Sequence, residues 1–152
     1  MCVIVDTNVI GLIFGSSRDQ PKEARLFYEY LQSGKITLVV GGKGFTSEIT
    51  RHGDFKMWLY EAQRGKRAHR IPDAEVDHEI QKLANESRKT KLKSNDRHIL
   101  ALARTSGARL LYTNDRALEQ DFKNRKLIPG PKGRIYKTPK HEHLLQENAC
   151  SR

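Results

Sequence analysis

Residues 1–5 most constrain what this chain can fold into: they are apolar at every position, include Val3, Ile4 and Val5, and stop at Asp6. A strand with one face in water alternates polar and apolar residues, so an unbroken apolar run this short predicts a strand buried on both faces, at the centre of a parallel sheet. Residues 36–40, apolar except for the β-branched Thr37, form a second continuous β-type run closed by Gly41, Gly42 and Gly44, and residues 109–112 supply a third strand. Between these runs the apolar residues recur at helical spacing. Residues 9–14 form a helical segment that Gly15 interrupts, and Pro21 opens a helix through Ala24, Phe27, Tyr30 and Leu31 that Gly34 stops. Residues 45–51 begin a helical region divided by Gly53 from residues 54–63, and Glu48 falls just inside it. Pro72 and Asp73 start another helix, with Val76, Ile80 and Leu83 on one face. Ser94, Asn95 and Asp96 are cap-type residues before a helix that ends at Gly107. Strands alternating with helices define an α/β class with a mainly parallel sheet, whose ligands gather beyond the carboxyl ends of the strands.

A chain of 152 residues makes one domain, here expected over residues 1–140, with residues 141–152 as a loosely held tail. No apolar stretch approaches the roughly 20 residues that cross a bilayer, and no basic leader precedes the first apolar run, so the expectation is a cytoplasmic protein without a membrane partner. Cys2 and Cys150 match no metal-ligand spacing and read as bystander thiols rather than a disulfide framework.

Charge is informative by location. Residues 1–63 are balanced, with seven Lys/Arg against seven Asp/Glu, whereas residues 64–126 hold sixteen against nine. A basic excess confined to the later part of a domain suggests a polyanion partner, because each cation set against a phosphate releases counterions; nucleic acid is the leading candidate. Arg88, Lys89, Lys91 and Lys93 form a basic connection that leads straight to Asp96, and they are the expected contacts to a nucleic-acid backbone. The bland alternative is a solvated charged face.

Four acids stand out by position: Asp6 after the first strand, Glu48 in a helix, Asp96 at a helix start and Asp115 just past a strand. Two strand ends and two nearby helix starts can converge on one crevice of a parallel sheet. Carboxylates packed together repel unless a cation joins them, and Mg²⁺ or Mn²⁺ prefers carboxylate oxygens while retaining waters for chemistry. Taken singly each acid has a structural reading, as turn residue, solvated helix residue, cap or helix start. Asp54 and Asp121 lie near Glu48 and Asp115 in sequence and read as surface acids. Trp58 and Tyr60 read as packing residues, and Gly41-Gly42-Lys43-Gly44 lacks the spacing of a phosphate loop.

Taken together, Val3-Ile4-Val5-Asp6-Thr7-Asn8, Glu48, the segment from Asn95-Asp96-Arg97-His98 to Ala103, and Leu110-Leu111-Tyr112-Thr113-Asn114-Asp115 resemble the PIN-domain nuclease family, most closely the small ribonuclease toxins of bacterial toxin-antitoxin pairs. The acids are separated by 42, 48 and 19 residues, and the similarity spans positions 3 to about 122. The resemblance implies a three-layer α/β/α sandwich and metal-dependent hydrolysis of RNA with Mg²⁺ or Mn²⁺ as cofactor. Asp6, Glu48, Asp96 and Asp115 would be the catalytic acids. Asp6, Asp96 and Asp115 would be metal ligands, and Asn8 and Thr113 would orient the neighbouring carboxylates. Glu48 matches mainly by location. An antitoxin protein and a homodimer are the protein partners such a reading admits, beside the RNA substrate. The rival readings are an RNA-binding scaffold without catalysis, a housekeeping RNA-processing nuclease and a receiver-type signalling domain. The last needs an aspartate where residues 36–40 run into Gly41.

Overall fold

The computed structural model describes residues 1–15 and 18–147. Strand β1 (Cys2–Val5) is followed by helices α1 (Thr7–Phe14) and α2 (Lys22–Gln32), strand β2 (Thr37–Gly41), helices α3 (Lys43–Ile49) and α4 (Gly53–Arg64) and strand β3 (Ala68–Ile71). Helices α5 (Asp73–Glu86) and α6 (Arg97–Ser106), strand β4 (Leu110–Tyr112), helix α7 (Arg116–Lys123), strand β5 (Arg134–Tyr136), a 3₁₀ turn (Pro139–His141) and helix α8 (Glu142–Leu145) complete the order.

All strand pairs are parallel, in the order β3-β2-β1-β4-β5. β1 is therefore central, and its wholly apolar sequence follows from having helices on both sides. Val3 and Val5 point into one core with Phe27, Leu31, Phe55 and Leu59 from α2 and α4. Cys2 and Ile4 point into the other, with Val76, Leu83, Leu100 and Leu118 from α5, α6 and α7. The result is the three-layer α/β/α sandwich, with α1–α4 and α8 on one face and α5–α7 on the other. Among the described residues no helix is long and apolar enough to cross a membrane.

Several local readings need correction. β3 and β5 are strands that the apolar pattern does not reveal, because each is short and carries charged residues at or near the sheet edge. α3 begins at Lys43, so Glu48 lies in its last turn rather than its first. Trp58 is buried and its indole N–H donates to Gln32 Oε1 at 2.9 Å, but Tyr60 is exposed. Residues 141–147 are not a loose tail: Leu144 and Leu145 of α8 are buried in the first core, and Tyr30 donates its hydroxyl proton to Glu142 at 3.0 Å. The remainder of that expected tail, from residue 148, lies outside the described residues. Cys2 is disulfide-bonded rather than a bystander thiol, and Cys150 lies outside the described residues.

Two glycines act as turn residues. Gly107 ends α6 in the left-handed conformation at φ 75°. Gly42, at φ 90°, donates its backbone N–H to Asp73 Oδ1 at 3.0 Å, so a protein carboxylate occupies the position where a phosphate loop would hold its anion.

Candidate active site

The chain leaves β1 outward to β2 and β3, then returns to the other side of β1 as β4, so the topology reverses between β1 and β4. Asp6 and Asp115 stand at that reversal, where open α/β sheets form their crevice. The register Val5↔Tyr112 puts Asp6 level with Thr113. The Thr113 hydroxyl, wholly buried, donates to Asp6 Oδ2 at 2.7 Å, and Thr113 Oγ1 itself accepts the backbone N–H of Asp115 at 3.0 Å. One threonine thus fixes Asp6 and the turn that carries Asp115. Asp6 Oδ1 faces the backbone N–H of Asn8 at 3.5 Å. Asn8 supports Asp6 through its main chain at the start of α1, while its residue as a whole is exposed.

Asp115 caps α7. Its Oδ1 accepts the N–H groups of Ala117 at 2.9 Å and Leu118 at 3.3 Å, which satisfies two of the helix's open donors and orients the carboxylate. The cap reading and the site reading are therefore both true of one residue. Asp96 behaves differently: it precedes α6 at the cap position, yet its side chain makes no capping hydrogen bond. Its carboxyl is free for another task.

Electrostatics tie the four acids together. The Asp96 carboxyl is held above its ordinary value, first by burial and then by repulsion from Asp6, with further repulsion from Asp115 and Glu48 and a partial offset from His98. Asp6 and Asp115 come from the sheet, Glu48 from one helical layer and Asp96 from the other, so both layers deliver acids to one field. None of the four is ion-paired with a lysine or arginine among the described residues; the ion pairs formed there use other acids.

An all-oxygen, uncompensated donor set of this kind suits a hard divalent cation. Among the described residues no three acids or histidines stand close enough to ligate one ion together.

The repulsion predicts a stability signature. A carboxyl whose folded value is raised disfavours the folded state as pH rises through the window between its unfolded and folded values, and the penalty persists above it. Asp96→Asn should therefore melt slightly higher than the parent protein at pH 7 without metal, with the difference vanishing near pH 3. A variant that melts lower at pH 7 would place Asp96 outside the shared field.

Asp54 is exposed in the first turn of α4 and has no part in the shift at Asp96. Asp121 is not a surface acid. It is 2% exposed, and its carboxylate accepts the backbone N–H of Lys93 at 3.0 Å, that of Ser94 at 2.8 Å and the Ser94 hydroxyl at 2.8 Å. The Ser94 hydroxyl oxygen in turn lies 3.4 Å from the backbone N–H of Asp96. Asp121 anchors the connection that presents Asp96, a role that spacing alone does not disclose. Arg88, Lys89, Lys91 and Lys93 are exposed on that same connection, and Lys93 donates to Gln120 on α7 at 2.6 Å.

No curated protein and no solved structure matches this chain. The family model described as PIN domain matches residues 3–122, from β1 through α7, and includes all four acids. With the match covering most of the chain and a five-stranded parallel sheet that carries Asp6 and Asp115 at its switch point, the protein belongs to the PIN-domain family, whose fold is of nuclease type.

Proposed function

We propose that the protein is a Mg²⁺- or Mn²⁺-dependent endoribonuclease of the toxin type, acting in the cytoplasm. The observation that carries the reading is the placing of the acids: Asp6 and Asp115 stand at the reversal between β1 and β4, Asp96 and Glu48 bear on the same field, and none of the four is ion-paired with a lysine or arginine among the described residues. Asp6, Asp96 and Asp115 are the residues that would hold the metal, directly or through its waters, and Glu48, exposed on α3, is the fourth catalytic acid. When bound, the ion supplies an activated water for attack on phosphorus and stabilises the departing oxygen of the phosphodiester. The chain's own contribution is orientation. Thr113 holds Asp6 from below, and the α7 backbone takes Asp115 Oδ1, so that Oδ2 accepts no hydrogen bond from the described residues.

The loop cations Arg88, Lys89, Lys91 and Lys93 are the proposed grips on the RNA backbone beside the acids. Replacing all four with Gln should weaken binding of unrelated RNAs alike and flatten the salt dependence by roughly 0.7 per lost contact on single strands. An unaltered salt slope in a binding titration would reduce the loop to a solvated surface.

An antitoxin is the partner expected of a toxin. Met57 and Tyr60, 70% and 68% exposed on α4, are the large apolar side chains exposed among the described residues, and they suit a protein contact. The ribonuclease reading is tested by incubating purified protein with total RNA, with Mg²⁺ or Mn²⁺ and with EDTA, and sequencing the new ends. Metal-dependent cleavage leaving 5′-phosphates supports it, whereas the absence of new ends under both metals overturns it.

A further inference from the structure

We propose that the hollow along the outer edge of β5 is a second phosphodiester-binding site, which holds the RNA backbone away from the bond that is cut; the proposal rests on the ribonuclease reading above. β5 is an edge strand, and beside it lies a hollow of about 560 Å³ lined by Lys123, Lys132, Arg134, Lys137, His141 and His143. Glu119 is the acid in its lining.

The hollow runs along β5 from Lys123 and Lys132, by the strand's amino end, to Lys137 just past its carboxyl end, and that second end is the one that carries the acids. The register Tyr112↔Tyr136 sets Lys137 level with Thr113, the residue that holds Asp6. Lys137 pairs with Glu119, one turn along α7 from Asp115. The neighbouring residue Gln120 receives the ammonium of Lys93 from the loop before Asp96. Two basic surfaces thus reach α7 through consecutive residues, and the helix that begins at Asp115 joins them. A strand of RNA gripped by both would lie across α7, one turn from Asp115.

The charges are also available. Arg134 pairs with Glu147 and Lys137 with Glu119, but Lys123 and Lys132 are exposed and have no acidic partner among the described residues. His141 serves the wall of the hollow rather than its charge, since its Nδ1 accepts the backbone N–H of Lys137 at 3.1 Å. Unpaired lysines around one concavity repel each other, and a polyanion relieves that repulsion while shedding counterions. The competing role for edge-strand lysines is to keep another strand from adding to the sheet.

The test measures binding of a fluorescent single-stranded 12-nucleotide RNA in EDTA, across a salt series, to the wild-type protein and to the double variant Lys123→Gln/Lys132→Gln. Lys35→Gln/Lys66→Gln, which removes the same charge near the amino ends of β2 and β3, serves as the control. At about 0.7 per contact the double variant should lower the salt slope by roughly 1.4, a loss on the order of 20-fold in affinity at 0.1 M salt, while the control pair changes little. A double variant that tracks the control pair overturns the site and leaves the lysines as guards of the edge. Cleavage is scored separately with Mg²⁺: a wild-type protein that binds RNA but never cuts it sinks the ribonuclease reading alone. Failure of the wild-type protein to bind RNA overturns both.

Discussion

Asp6→Asn and Asp115→Asn are each expected to lower metal-dependent RNA cleavage by about 10²-fold or more, with the fold retained. A metal-assisted phosphodiester hydrolysis draws several kcal/mol of transition-state stabilisation from its cation, and each 1.36 kcal/mol is a factor of ten in rate. Asparagine keeps the shape and one acceptor oxygen while removing the charge that binds the ion. At Asp6 that oxygen can still accept from Thr113, with only the long 3.5 Å contact to the Asn8 N–H given up, and at Asp115 it can still cap Ala117 and Leu118, so neither change opens a cavity. Loss of one charge from a repelling set should leave the melting temperature in EDTA equal to or above that of the parent. The expected pattern is therefore loss of rate with no loss of stability, read from initial cleavage rates and thermal melts of the same preparations. Near wild-type cleavage by either variant would remove that residue from the site. A large drop in melting temperature would instead show it to be a structural turn or cap.

The parts of the fold legible in the sequence are those whose physics is local and one-signed. β1 and β2 read as strands because burial between two helical layers leaves no polar position in β1 and only Thr37, at its start, in β2. The start of α6, the Gly107 stop and the Gly53 division are written in cap and turn chemistry. β3 and β5 escape because edge strands are half solvated: His69, Arg70 and Arg134 are tolerated there, and only pairing with a neighbour makes the segments extended. α8 escapes for a related reason, since Leu144 and Leu145 are two apolar residues in a polar stretch whose burial depends on a surface built far earlier in the chain. For the acids the order is similar. Strand ends can be counted from the sequence, so Asp6 and Asp115 were accessible, and the Asp96 helix was visible through its stripe. What spacing could not distinguish is a carboxylate that serves a ligand from one that serves the chain. Asp115 caps a helix, Asp96 caps nothing, and Asp121 looks like a surface acid until the loop from Lys93 to Asp96 is seen resting on it.

Asp121 accordingly carries the largest expected effect on stability. Asp121→Ala removes the acceptor from the Lys93 N–H, the Ser94 N–H and the Ser94 hydroxyl, and the two Ser94 groups are buried with no other partner in view. A buried polar group left unpaired costs about 1–3 kcal/mol, so the variant should lose about 2–5 kcal/mol in all. At about 2–4 °C per kcal/mol for a domain of this size, the melting temperature should fall by roughly 5–15 °C. Asp121→Asn is the more informative change. It retains one acceptor oxygen and the volume, but turns an amide N–H₂ toward donors, so it should fold with a smaller loss and with the connection displaced. Because that connection ends at Asp96, the displacement should raise the Mg²⁺ concentration needed for half-maximal cleavage, a shift that a purely structural buried acid remote from the site would not produce. The comparison with Ser94→Ala sharpens the point, since that change deletes the hydroxyl that bridges Asp121 to the Asp96 backbone while leaving the carboxylate and its two main-chain contacts in place. If Asp121→Asn melts lower yet needs no more metal than the parent, Asp121 holds the fold and not the position of Asp96. If neither quantity moves, the hydrogen bonds to Lys93 and Ser94 do not set the geometry of the site.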